Sequence, residues 1–398
     1  MSQPKTDRLI SIDALRGIAV LGILMMNVQG FAMTPMAYDD PTMMMDLTGV
    51  NLTVWSVAHT FFAMKFITIF STLFGAGIIL MAGEGDDTGK HYPRMLWLLL
   101  IGAIHAYVFW WGDILVHYAL LGMIAVKARK MSVGKLTFWG IFLILIGGAI
   151  MVGLTYLGAM FTPAEGAAQE QEMMAGIQES MITSFQAGFI NHIPLNAMFA
   201  GIGQIMSLIF MGPRTLGLMF IGMALYKSGF LSAAWSTSRY LILSVLVIAA
   251  GVYMNWMSTT TMIGGEFSAQ AKADGLAWSF FGSVVLSFGY ASLVMLLSRI
   301  GAFKLIITWF ASVGRMAFTN YLSQTLIMTF IFVGVPGLGL FGTVERIDQL
   351  YMVLAVWAAQ LIWSPIWLSI FRFGPLEWVW RSLTYGKAQP LLKAKAQA

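Results

Sequence analysis

The chain has 398 residues, of which 58% are hydrophobic and 10% charged, with no cysteine and a formal net charge of +5. An average soluble domain is about 25% charged, and a soluble fold of this length could not cover so much apolar surface with wettable groups. Lipid as solvent removes that difficulty, the missing cysteines exclude disulfides, thiolate metal sites and thiol nucleophiles, and the scattered basic residues form no stripe that would bind nucleic acid.

In chain order, Lys5 and Arg8 precede an apolar run as in a signal sequence. Arg16 interrupts that run and no small-x-small cleavage site follows, so an uncleaved first helix is expected. A spanning helix needs about 20 predominantly apolar residues. Windows of that size predict about ten spans, near 11–33, 53–81, 94–112, 113–126, 136–160, 198–226, 239–258, 276–297, 305–333 and 350–372. The fourth is short and reads as half-buried or re-entrant. The sixth holds Gly212-Pro213-Arg214, where Pro removes a backbone donor and kinks the helix. No segment alternates with a period of two, so strands are not expected. The fold class is all-α: one polytopic transmembrane domain over 1–398. Within it, 162–192 is expected to be an extracytoplasmic interfacial segment and 374–398 a cytoplasmic amphipathic tail. In that tail Glu377 and Arg381 are spaced for an i,i+4 pair, and Trp378 and Trp380 suit the headgroup zone.

Charge orients the bundle. With ten spans and a cytoplasmic start, seventeen Lys and Arg fall in cytoplasmic segments, while the opposite side holds only Lys272 and Arg346. The opposite loops are acidic, with Asp39, Asp40, Asp46, Glu165, Glu266 and Glu345 among them. The positive-inside rule demands this asymmetry and places both termini in the cytoplasm. A multi-pass protein of a bacterial inner membrane, among membrane lipids, is the expectation.

Ionisable residues inside spans cost about 2.5–3.5 kcal/mol at mid-helix and are functional candidates by default. Here they are Asp13, Arg16, His59, Lys65, His105, Asp113, His117, Arg214 and Arg315. Asp13 and Arg16 lie one turn apart, and eleven further residues bring Asn27 back to the same face. An arginine near the cytoplasmic mouth can grip a phosphate bidentately; the plainer reading is that Asp13 and Arg16 pair and snorkel. His105 is the best general-base candidate, because imidazole titrates near neutral pH. Asp113 would orient it, but a straight helix holds the two about 12 Å apart, so either the chain turns back at Gly112 or the partner comes from another helix. Asp113 and His117, spaced i,i+4, could form a metal site with His105, but no tight HxxxH or HExxH pattern exists and no metal is expected. His59 and His117 read as packing histidines. Lys65 needs a partner, either Asp113 or a substrate phosphate or carboxylate. Arg315 is too deep for a loop residue if the ninth span is continuous, and Arg214 beside the kink could satisfy freed carbonyls. Gly75-Ala76-Gly77 could serve packing within the chain or between protomers of a homodimer.

The order and spacing of several motifs resemble the YeiB-like family of bacterial inner-membrane proteins. They are Asp13-Ala14-Leu15-Arg16-Gly17 with Asn27, then Lys65-Phe66 through Leu73-Phe74-Gly75-Ala76-Gly77, then His105 with Gly112-Asp113-Ile114-Leu115 and Tyr118. Gly314-Arg315-Met316-Ala317, Asn320-Tyr321 and Gln324 follow, and Gly374-Pro375, Glu377-Trp378 and Trp380-Arg381 complete the set. That family looks related to the transmembrane acyltransferases, among them heparan glucosaminide N-acetyltransferase and bacterial sugar O-acyltransferases. The O-acyltransferase branch has its catalytic His eleven residues after the first-helix Arg. That position is Asn27 here, so the His does not carry over. The N-acetyltransferase branch looks to have Asn there and to take its His from a later segment.

The resemblance implies an acyltransferase using acyl-CoA, or acetyl-CoA in particular, with a hydroxyl or amine acceptor. His105 and Asp113 would be catalytic, and Asp13, Arg16, Asn27, Lys65, Arg315, Tyr321 and Gln324 would bind substrate. A small-molecule or lipid transporter using the same buried charges is the alternative, and a scaffold in which polar groups only join helices is a third.

Overall fold

A computed structural model describes residues 7–161 and 167–393. The first half comprises α1 (Asp7–Ala32), the short α2 (Pro35–Asp39), α3 (Gly49–Phe61), α4 (Lys65–Ala82), α5 (His91–Ile104), α6 (Leu115–Ala125), α7 (Val133–Phe161) and α8 (Ala167–Ala187). The second comprises α9 (Phe189–Met206), α10 (Gly212–Lys227), α11 (Thr237–Gly264), α12 (Ala269–Arg299), α13 (Lys304–Arg315), α14 (Ala317–Phe332), α15 (Arg346–Ile370) and α16 (Pro375–Tyr385). No strand occurs among the described residues, where the sole extended pairing is an isolated bridge between Phe371 and Leu392.

Among the described residues, eight stretches are long and apolar enough to cross a membrane, including the α3–α4 and α9–α10 pairs taken as units. The protein is an all-α, polytopic membrane protein. Its outer surface carries Phe138, Phe142 and Leu145 on α7, Val245 and Leu246 on α11 and Ile362 and Ile366 on α15, all exposed. An apolar belt of this extent is stable against lipid and unstable against water.

Several of the ten expected spans depart from a single long helix. The fourth is the short apolar stretch Leu115–Ala128. The ninth is divided, since α13 ends at Arg315 and α14 begins after Met316. The division is held by the Glu377 carboxylate, which accepts the backbone N–H groups of Phe318 at 2.7 Å and Thr319 at 3.0 Å. These are orphan donors of the α14 N-terminus. Glu377 is thereby taken from Arg381, whose guanidinium stacks on Phe373 and Tyr385 instead of forming the expected i,i+4 pair.

The other spans are interrupted more often than the one expected kink. Between α3 and α4 the chain turns at Met64, in a left-handed conformation with φ of 64°. A π-helical turn, Ser207–Met211, precedes α10, with Pro213 in its first turn. A second π turn, His105–Phe109, ends α5.

Close approach of helices uses glycine where a Cβ has no room. At the crossing of α1 and α13, a Cβ on Gly17 would lie 1.9 Å from the Phe310 carbonyl oxygen, and one on Gly314 would lie 1.8 Å from that of Asp13. Gly75 on α4 meets the Met219 backbone of α10 in the same way, so its use is within the chain. Van der Waals contact of this kind is a main source of helix association where lipid offers no hydrophobic drive.

Of the expected segment 162–192, residues 162–166 lie outside the described residues. In α8, Met181 and Phe185 are buried in a cluster with Phe332 and Phe341. Of the tail, 394–398 lie outside the described residues, as does Lys5. Helix α16 docks on the bundle end, with Trp380 5.2 Å from the Phe318 ring. The chain then returns so that Arg372 N–H donates to the Leu391 carbonyl.

Candidate functional site

The π turn at His105–Phe109 widens the helix and frees carbonyls that α9 collects, as Asn196 Nδ2 donates to Ala106 O at 2.9 Å and Tyr107 O at 3.2 Å. Trp110 follows in an extended conformation. It is pinned by its Nε1–H on the Gly30 carbonyl and by stacking on Phe31. The chain then turns through Trp111 and Gly112 and re-enters helix at Leu115. This reversal sets Asp113 Oδ2 2.6 Å from His105 Nδ1. The other carboxylate oxygen, Oδ1, accepts the Val116 N–H at 3.0 Å, at the start of α6. Gln204 of α9 fixes the Asp113 carbonyl at 3.0 Å.

The second imidazole nitrogen, Nε2, lies 2.8 Å from Thr325 Oγ1 on α14. His105, Asp113 and Thr325 are all at least nine-tenths buried. Tyr321, one turn before Thr325, places its ring 5.4 Å from the imidazole. Its hydroxyl approaches the Ile114 N–H without a well-formed bond and is buried with no hydrogen-bond partner.

A cavity of about 170 Å³ leads toward this cluster. Phe70, Leu73, Phe74 and Leu98 make its wall apolar, and Ile114, Tyr118 and Tyr321 form its inner end. Arg16, Arg94 and Arg315 line its mouth. Arg94 stacks over Trp380 at 4.0 Å, and the Trp380 indole N–H donates to the Arg94 carbonyl. Arg16 is bonded to Asp13 at 2.9 Å. Glu377, also at the mouth, spends its oxygens on α14. Burial pushes its carboxyl above its ordinary value, against the pull of the hydrogen bonds from Thr319 and Phe318. Three guanidiniums thus face an apolar hollow, with Asp13 paired to Arg16 and Glu377 at the same mouth.

The structure brings Arg16, Arg315 and Tyr321 to the cavity and joins His105 to Asp113 behind its inner end. Arg315 gets there because its helix ends, leaving it exposed at a mouth rather than deep in a continuous span. Asp13 reaches the site only through Arg16. Asn27 is half-buried and does not line the cavity. Lys65 is fully buried and its ammonium donates to the His59 carbonyl at 2.7 Å, so neither Asp113 nor the cavity is its partner. The break after α3 frees that carbonyl, and the ammonium satisfies it. Gln324 ties α14 to α1 and α15 through Val20 O and Gln360 Oε1. Arg214 donates to the hydroxyls of Thr68 and Ser283, and not to carbonyls freed at the kink. His59 bonds Ser258, and His117 is held between Ser207 and Thr215.

Thr325, Arg94 and Trp380 were not legible as site residues. Threonine in an apolar helix draws no notice, and the only available signal was its i,i+4 spacing from Tyr321. Arg94 reads as one of many basic residues beside a span.

The family model described as "Protein of unknown function (DUF418)" matches residues 225–387, which include α13 to α16 and so Arg315, Tyr321, Thr325 and Trp380. "Uncharacterized protein YeiB" of Escherichia coli (strain K12) is 32% identical, with 97% of this chain and 98% of that protein aligned. "Uncharacterized protein YxaH" of Bacillus subtilis (strain 168) is 30% identical over 97% and 96%. A protein of Bacillus acidopullulyticus, "Uncharacterized 39.9 kDa protein in amylase 3'region", is 27% identical over 98% and 97%. No solved structure matches the chain. Alignments of this identity cover nearly the whole chain, and the chain belongs to the YeiB-like family of bacterial membrane proteins.

Proposed function

We propose that the protein is a membrane-bound acyltransferase that takes an acyl group, acetyl being the simplest, from cytoplasmic acyl-CoA and passes it to a hydroxyl or amine acceptor. The observation that carries the reading is the alignment of three parts along one path: an arginine-lined mouth, an apolar cavity, and a buried Asp113–His105 pair behind its inner end. Acyl-CoA has matching parts. Its phosphates suit guanidiniums, which bind phosphate bidentately. Its arm and acyl group suit an apolar passage, and attack on its thioester needs a base such as His105 held in one tautomer by a carboxylate. The asymmetry of the loop charges supports a mouth on the cytoplasmic side of an inner membrane, where acyl-CoA would be available.

The test is a thermal shift of the purified protein titrated with coenzyme A and with acetyl-CoA. A ligand at 100 times its dissociation constant stabilises the folded state by about 2.7 kcal/mol. Stabilisation that weakens in Arg94→Ala and Arg16→Ala is expected; a folded wild type that shows no shift overturns the reading.

One observation favours transport of a small molecule or lipid as the second reading. Helices interrupted near Met64, Trp110, Met211 and Met316 are of the kind that line transporter sites. Flux of an unaltered substrate into liposomes, without consumption of acetyl-CoA, is its signature.

A further inference from the structure

The geometry points to Thr325 as the covalent acyl carrier of this site, so that transfer proceeds through an acyl-threonine ester. The inference rests on the acyl-transfer reading and adds the residue that receives the group first.

The argument starts from the hydrogens. Neutral imidazole has one N–H, and an ionised carboxylate can only accept. At 2.6 Å from Asp113, Nδ1 must hold the proton, which leaves Nε2 as an acceptor. Thr325 Oγ1, 2.8 Å away, therefore donates to it. A hydroxyl on the base and a carboxylate behind it is the arrangement that activates a nucleophile in hydrolases of unrelated folds. Both ring nitrogens are committed, so the first proton within reach of His105 is that of Thr325. An acceptor could use the same nitrogen directly only by displacing that hydroxyl.

Access and oxyanion stabilisation come from the same helix face. Tyr321 closes the inner end of the cavity, one turn or about 6 Å along α14 from Thr325. Its hydroxyl is buried without a hydrogen bond. Its O–H donates to no acceptor in the structure and so remains a donor for an oxyanion forming beside Thr325.

The steps balance. His105 Nε2 takes the Thr325 proton while Oγ1 bonds to the thioester carbonyl carbon. The tetrahedral intermediate collapses, the carbon–sulfur bond breaks, and the imidazolium returns the proton to the leaving thiolate, giving free coenzyme A. In the second half, the acceptor O–H or N–H gives its proton to Nε2 and attacks the ester carbonyl. The carbon–Oγ1 bond then breaks and Thr325 recovers a proton from His105.

The experiment uses the full-length protein in nanodiscs, acetyl-CoA and isotopically labelled coenzyme A, with no acceptor. Expected are exchange of label into acetyl-CoA and one acetyl adduct, found by mass spectrometry on the peptide bearing Thr325. Thr325→Val, close in shape, should lose exchange by about 10²-fold or more while still binding coenzyme A in the thermal shift. Thr325→Ser should retain exchange and carry the acetyl adduct on the serine, which a hydroxyl that only holds the ring would not do. Exchange that persists in Thr325→Val, or acetyl transfer with no adduct on Thr325, overturns the carrier role and leaves acyl transfer standing. A wild type that neither binds nor consumes acetyl-CoA overturns both.

Discussion

The Asp113 carboxylate and the His105 imidazole meet at 2.6 Å, although a continuous helix would hold them about 12 Å apart. The contact exists because a π turn and an extended Trp110 reverse the chain inside the bundle, and helix α9 satisfies the carbonyls that this reversal exposes. Asp113→Asn would keep the shape and remove the charge that steadies an imidazolium. On the proposed acyl transfer, acetyl-CoA turnover is expected to fall by about 10²–10⁴-fold with coenzyme A binding retained. Unchanged turnover would remove Asp113 from the mechanism.

The mouth carries a separate expectation. If coenzyme A binds at this mouth as proposed, replacing Arg16, Arg94 or Arg315 singly by Gln should weaken its binding several-fold, about 1 kcal/mol each, and flatten its dependence on salt. Calorimetric titration at low and high ionic strength measures both. Affinity that ignores all three substitutions would place the phosphates elsewhere.

At the α1–α13 crossing, Gly314→Ala puts a methyl group 1.8 Å from the Asp13 carbonyl oxygen. Two backbones must separate to admit it, at a cost of about 1–3 kcal/mol. A lowered unfolding midpoint and a distorted mouth are expected. Gly153→Ala on α7, where a Cβ meets nothing within 4 Å, is the control and should not lower the midpoint. Equal behaviour of the two variants would contradict the packing described.

Glu377→Ala leaves the Phe318 and Thr319 N–H groups without their acceptor. Unsatisfied donors of this kind cost about 1–3 kcal/mol. Limited proteolysis should then cut between α15 and the end of α16 sooner than in wild type, since Glu377 makes three of the hydrogen bonds that fasten α16 to α14. A tail of unchanged resistance would show that the Trp380 contacts suffice.

The Asp40–Lys272 pair, 2.9 Å long, links the end of α2 to α12. Burial alone would raise the Asp40 carboxyl, but hydrogen bonds from Thr42 and Lys272 outweigh it and hold it below its ordinary 3.8. A depressed carboxyl adds stability above the unfolded value and loses it as pH falls through the folded one. Both side chains are partly exposed, so the contribution is small, about 0.5 kcal/mol. Asp40→Asn should lower the unfolding midpoint slightly at pH 7, and the difference should vanish once the wild-type carboxyl is protonated. Thermal unfolding followed down the acid range checks it.

Composition and the length of the apolar runs determine that this protein is an all-helical bundle in lipid, because only helices bury their own backbone polar groups within one segment. The same pattern singles out His105, Asp113, Arg16 and Arg315 as charges too costly to be idle in a membrane. It does not show where helices stop. The break at Met316 depends on Glu377, about sixty residues on, and the turn after His105 on Asn196 and Gln204, about ninety residues on. Those breaks decide the site: one moves Arg315 from the depth of a span to the cavity mouth, and the other brings Asp113 back to His105. Lys65 and Gln324 look equally functional in sequence and are instead committed to a freed carbonyl and to an inter-helix link. Thr325 reaches the imidazole from 220 residues away, and only the packing of α14 against that turn makes an ordinary threonine its partner.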